Sequence, residues 1–81
     1  MCVAHFWYHK NMNYGQFFKK ARKNSGYTQA FVANKLGIHQ SNVSDWENDI
    51  SRPEYENLIE LSLLYEVSVY DLLGVEEKDR F

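Results

Sequence analysis

Between Thr28 and Asn48 the chain reads TQAFVANKLGIHQSNVSDWEN. Val32, Ala33 and Leu36 fall on one face at helical spacing, the pattern breaks at Gly37, and Ile38, Val43 and Trp46 resume it on a second face. The pattern predicts two short helices joined by a tight turn. Thr28 suits the N-cap of the first, because its hydroxyl can accept a backbone N–H that has no partner within the helix. Gly37 stands where that helix must end in a left-handed residue, a conformation that costs glycine nothing.

The same reading extends outward in both directions. A helix from about Tyr14 to Ser25 turns Phe17, Phe18 and Ala21 inward and Lys19, Lys20 and Lys23 outward, and Gly26 ends it. Arg22 falls at the edge of its apolar face, where a charge is costly without a partner. The helix that follows Gly37 begins near His39 or Gln40. With Val43 and Trp46 inward, it leaves Gln40, Ser41, Asn42, Ser44 and Asp45 outward. Pro53 suits the first turn of a fourth helix, where its missing N–H is not required. Tyr55, Leu58, Leu61, Ser62 and Leu64 can then face the core, leaving Ile59 and Leu63 outside. Ser68 caps a short fifth helix with Leu72 and Leu73 inward and Val69 and Tyr70 more exposed. Residues 74–81, GVEEKDRF, read as a charged, frayed tail.

The expectation is an all-α domain over residues 14–73. Within it Ala33, Gly37 and Val43 have a geometric meaning: a small residue lets two helices approach, a permissive one turns the chain, and a branched one plugs the angle between them. That is the spacing of a helix-turn-helix.

Its neighbours agree with it. Phe18 to Arg22 (FKKAR), Gly26 to Gln29 (GYTQ), Val43 to Asn48 (VSDWEN), Pro53, and Val67 to Leu73 (VSVYDLL) together resemble the DNA-binding domain of the XRE type, the Cro and phage-repressor family. The resemblance implies a compact five-helix, lambda-repressor-like domain that binds operator DNA, usually as a dimer. It implies that Arg22 pairs with Glu47 of the third helix; on the residues alone, two independent surface charges remain the other reading. It implies base contacts from Gln40, Ser41 and Asp45. Gln pairs in bidentate fashion with adenine, Ser donates or accepts with little selectivity, and Asp accepts from cytosine. Asn42 and Ser44 complete the candidate reading face. Gln29 and Asn48 match family residues that touch phosphate, and Lys20, Lys23, Lys35 and Arg52 can add charge. The chain departs from the family pattern at Asp49, where glycine is common, and at Phe31, Ile59 and Leu63, where polar residues are usual.

Composition changes the picture at two points. The formal net charge is −2, which argues superficially against a nucleic-acid partner, but it is unevenly spread. Residues 13–52 carry Lys19, Lys20, Arg22, Lys23, Lys35 and Arg52 against Asp45, Glu47 and Asp49, a net of +3; residues 53–81 carry a net of −6. One half can face phosphate and the other solvent or a partner; the plainer reading is two solvated surfaces.

The second point is the opening segment MCVAHFWYHKNMN, which lies outside the family pattern. Its aromatic triplet Phe6, Trp7 and Tyr8 would expose much apolar area as a free tail. It can pack on the domain, join a dimer interface with Ile59, Leu63, Val69 and Tyr70, or be an extension upstream of a start at Met12. Cys2, His5 and His9 lack an evident fourth ligand, so no metal site is expected. The lone cysteine cannot form an internal disulfide.

At 81 residues the chain suits one domain with one modest core, and no attached ligand-sensing domain is expected. No apolar run approaches a membrane span or a signal peptide, so a cytoplasmic protein without a membrane partner is expected. There is no paired acid and base, no oriented nucleophile and no phosphate loop, and hence no catalytic residue or cofactor to nominate. The leading reading is a homodimeric transcriptional regulator that reads a palindromic double-stranded DNA operator in the major groove, with RNA polymerase as a possible protein partner. The alternative is a protein-interaction module of the same fold, antitoxin-like or binding a partner regulator or polymerase.

Overall fold

The computed structural model describes residues 13–75. The expectations placed on Cys2, His5, Phe6, Trp7, Tyr8, His9 and the charged tail from residue 76 onward lie outside them. The described residues form five helices: α1 Gly15–Asn24, α2 Gln29–Leu36, α3 Gln40–Glu47, α4 Tyr55–Tyr65 and α5 Val69–Leu72. The fold is all-helical, as the periodicity predicts.

Helix boundaries follow local chemistry. Thr28 is extended and its hydroxyl accepts from the Phe31 N–H at 3.0 Å, which starts α2. Gly37 ends α2 at φ +71, and its N–H and that of Ile38 return to carbonyls in the last turn. Ser68 starts α5 by accepting from the Asp71 N–H at 3.0 Å.

The core is Phe18, Val32, Ala33, Val43, Trp46, Leu61, Tyr65 and Leu72, one or two residues from each helix. Helix α3 packs against both α2 and α1, and α5 packs on α1 and α4. The outcome is that α1 packs on α3 and on α5, with α2 and α3 closed on each other across the Gly37 turn.

Two expectations for α4 need correction. The helix begins at Tyr55 with Glu54 as its N-cap, so Pro53 precedes the cap and is not in the first turn. Tyr55 is 83% exposed and takes no part in the core. Tyr55 is the first residue of the helix and stands roughly 100° around it from the buried side centred on Leu61 and Tyr65, in a first turn that no preceding turn covers. Ile59 and Leu63 are exposed, as the spacing predicts.

Gly15 is held by a close backbone approach. A Cβ there would lie 2.3 Å from the carbonyl oxygen of Glu47 and 2.8 Å from that of Trp46. The first residue of α1 therefore sits directly on the last turn of α3. Gly15→Ala should push these helices apart and cost about 1–3 kcal/mol, the usual range for forced overpacking; urea denaturation would show a lowered midpoint with little change in slope.

Candidate nucleic-acid interface

The geometry of α3 is fixed from its C-terminal end. Glu47, its last residue, is 7% exposed and meets Arg22 of α1, 8% exposed. Arg22 Nε donates to Glu47 Oε2 at 2.6 Å and Nη2 donates to Oε1 at 3.0 Å, the two-pronged geometry that suits a guanidinium on a carboxylate. The third nitrogen, Nη1, donates to the Tyr27 carbonyl at 2.9 Å. Oε1 of Glu47 also accepts from Gln29 Nε2 at 3.0 Å. This network joins α1, the entry to α2 and the end of α3. The hydrogen bond to Glu47 raises the Arg22 pKa further above its ordinary value, with Coulombic attraction adding to it and burial opposing it.

A second tether lies next to the first. Asp49 adopts the left-handed conformation at φ +61, and its Oδ1 accepts from the Gly15 N–H at 2.8 Å. The aspartate that departs from the family glycine thus supplies a carboxylate to an amide in the first turn of α1, where amides lack helical partners. Arg52 in the same loop lies over the Tyr14 ring, 5.2 Å from its centroid.

The polar residues of α3 divide by position. Gln40, Ser41 and Asn42 are exposed at its N-terminal end, while Ser44 and Asp45 are half-buried. Gln40 Nε2 donates a long bond to Gln29 Oε1, at 3.5 Å. Ser44 Oγ accepts from Asn48 Nδ2 at 3.2 Å, and the Asp45 carbonyl accepts from the Ile50 N–H at 2.9 Å. The structure therefore brings Gln40, Gln29, Glu47 and Arg22 into one chain of hydrogen bonds, and Ser44 and Asn48 into a separate pair.

The remaining cations are spread around this frame. Lys20 and Lys23 are exposed on α1, and Lys35 is exposed on α2 with its Nζ 5.5 Å above the Phe31 ring. Phe31 packs on Tyr27, whose ring reaches Tyr65. Sequence reasoning missed the Asp49 cap, the inward turn of the Gln29 amide, the Arg52–Tyr14 contact and the place of Tyr65 beside the ion pair. Only Asp49 carried a signal, as a β-carbon residue where the turn calls for positive φ.

An all-helical domain with two helices set at a fixed angle, an exposed polar N-terminus on the second and a buried ion pair behind it defines a helix-turn-helix module. The helix-turn-helix family matches residues 18–72, and the chain belongs to this family, in its XRE type. It is 44% identical over 66 residues to the HTH-type transcriptional regulator ImmR of Bacillus subtilis, covering 82% of this chain and 52% of that protein. It is 37% identical over 70 residues to the HTH-type transcriptional regulator DicA of Escherichia coli, covering 85% of this chain and 52% of that protein. The chain thus spans about half the length of these curated relatives. Among the described residues no helix is long and apolar enough to cross a membrane.

Removing the Glu47 carboxylate would leave the Arg22 charge buried without its acceptor. Glu47→Ala is expected to destabilise the domain by about 3–5 kcal/mol, measured by urea unfolding at neutral pH. Unchanged stability would mean that the charges act independently.

Tyr65 gives a pH signature. Burial, assisted by the nearby Glu47 carboxylate, raises its phenol well above its ordinary value of 10.0, while Arg22 pulls the other way. Because the folded pKa is raised, the contribution to stability is complete below the unfolded value and is lost as pH rises through the folded value. Stability should therefore fall above pH 10.0, and Tyr65→Phe should flatten that fall in denaturant midpoints measured across the alkaline range.

Proposed function

We propose that this domain binds double-stranded DNA in a sequence-specific manner and regulates transcription, with α3 entering the major groove. The observation that carries the reading is the exposed, polar N-terminal end of α3, with Gln40, Ser41 and Asn42 on a helix whose orientation is locked by Arg22 and Glu47. The names of the relatives as transcriptional regulators support it.

In this reading Gln40 and Ser41 contact base edges first, with Asn42, Ser44 and Asp45 behind them. Half-burial of Ser44 and Asp45 restricts them to bases that approach closely. Gln29 turns its side-chain amide toward Glu47, so its backbone N–H, in the first turn of α2, is the group available to phosphate. Asn48, Lys20, Lys23, Lys35 and Arg52 supply further phosphate contacts, and the charge of the three lysines and Arg52 offsets the repulsion from Asp45.

The protein would act in the cytoplasm as a homodimer, reading two half-sites roughly 34 Å apart in a palindromic operator. Of the self-contact candidates Ile59, Leu63, Val69 and Tyr70, the two on α5, exposed Tyr70 and half-buried Val69, would form that surface. The acidic half, residues 53–81, would face away from DNA and can touch RNA polymerase.

Selection from a genomic DNA library at about 150 mM salt, a condition under which phosphate contacts are partly screened, tests the reading. The wild-type chain should recover a palindromic site, and Gln40→Ala with Ser41→Ala should lose about 1–3 kcal/mol of preference for the bases those side chains read. Affinity should also fall steeply with added salt. Recovery of no site by a folded protein would overturn it.

A further inference from the structure

We propose that the exposed ridge of Tyr55, Ile59 and Leu63 on α4 docks a helical segment of a partner protein whose own apolar stripe is flanked by Lys or Arg. This goes beyond the DNA-binding reading and does not depend on it.

The three residues are spaced by four, so they line up along one side of α4. Ile59 is 52% exposed and Leu63 69% exposed, and with Tyr55 they make a continuous apolar strip in water. Single exposed apolar residues are ordinary, whereas a contiguous strip with a polar border marks an interaction site.

The border is acidic. Residues 53–75 contain Glu54, Glu56, Glu60, Glu66 and Asp71 and no Lys or Arg. By helical position Glu56 and Glu60 run beside the ridge on one flank. Glu54 stands at its start, and Glu66 closes its C-terminal end. Among the described residues no cation forms a salt bridge with these four glutamates.

Two of the carboxylates are unexplained by the helix itself. Glu54 and Glu56 favour the positive N-terminal end of α4. Glu60 lies mid-helix and gives no such benefit. Glu66 is unfavourable twice over: it adopts a left-handed conformation at φ +57, and it puts an anion at the negative end of the helix. Glycine or asparagine would end the helix at less cost. The fold carries this charge for no gain of its own.

A shallow depression at the start of α4, lined by Pro53, Glu54, Tyr55 and Glu56, has mostly apolar walls. Such a site fits a Lys or Arg side chain, whose stem lies on apolar surface while its charged tip reaches carboxylates.

Charge complementarity selects the occupant. A second copy laid α4 against α4 would bring two acidic borders together with no Lys or Arg in residues 53–75 to pair them. A basic amphipathic helix buries the same apolar strip and neutralises the border.

The test uses the full chain and two synthetic amphipathic peptides, identical in their leucine stripe and flanked either by lysines or by glutamates. Amide chemical shifts report the site. The lysine peptide should shift α4 resonances with one-to-one stoichiometry and bind about tenfold or more tighter than the glutamate peptide, the difference vanishing near 1 M salt. Ile59→Ser with Leu63→Ser should abolish the shifts without altering melting temperature. Equal binding of the two peptides, or no shift in α4, would overturn the proposal. So would α4 shifts that follow protein concentration alone, which indicate a second copy, or shifts on deleting residues 1–11, which indicate the chain's own opening segment.

Discussion

The arrangement of the domain depends on one buried ion pair. Arg22 and Glu47 lie 25 positions apart in sequence, and removing two charges from water is expensive unless their hydrogen-bonding groups are matched. Here the match is complete on the carboxylate: both oxygens accept from the guanidinium, and one also accepts from Gln29. The remaining guanidinium nitrogen is used by the Tyr27 carbonyl. A buried pair of this kind adds little net stability over an apolar equivalent, but it tolerates few alternative geometries. Its contribution here is to fix where α3 points relative to α1 and α2.

The Asp49 contact reinforces this from a different direction. Helix α1 is tied to the end of α3 at two places, at Arg22 by a side-chain pair and at Gly15 by a carboxylate on a backbone amide. Gly15 has no Cβ to hold the backbones apart, so the helix start rests on the carbonyls of Trp46 and Glu47. The positive φ of Asp49 turns its carboxylate back toward α1. A turn that reads as a family glycine replaced at some conformational cost is thereby repaid with a hydrogen bond across 34 positions.

Much of the fold was legible because its determinants are local. Thr28, Gly37 and Ser68 act within four residues of their own positions, and the apolar spacing of α2 and α3 needs only the helical repeat. What failed was also local in origin: Pro53 permits a helix start at the next residue or shortly after, and Tyr55, as the first residue of α4 and to one side of its buried face, stays in solvent. The pairing of Arg22 with Glu47 was reached through family resemblance, since no periodicity links α1 to α3. The Asp49–Gly15 bond and the inward Gln29 amide were beyond reach, because they depend on tertiary placement of residues whose side chains have equally good partners in water. The polar residues of α3 could be nominated as a reading face from their type and spacing, but the division between exposed Gln40, Ser41 and Asn42 and half-buried Ser44 and Asp45 required the packed helix.

The tethering of α3 at its C-terminal end also decides where adaptation takes place when a partner is engaged. The backbone of that helix is ordered and anchored during folding, so little conformational entropy remains for it to lose on contact. What stays adjustable is a handful of short side chains at its free end, chiefly Gln40, whose long bond to Gln29 can be exchanged for another acceptor at small cost. Any misfit larger than a rotamer change must be absorbed by deformation on the other side of the interface. A partner too stiff to bend would be rejected even if every one of its hydrogen-bonding groups were correct.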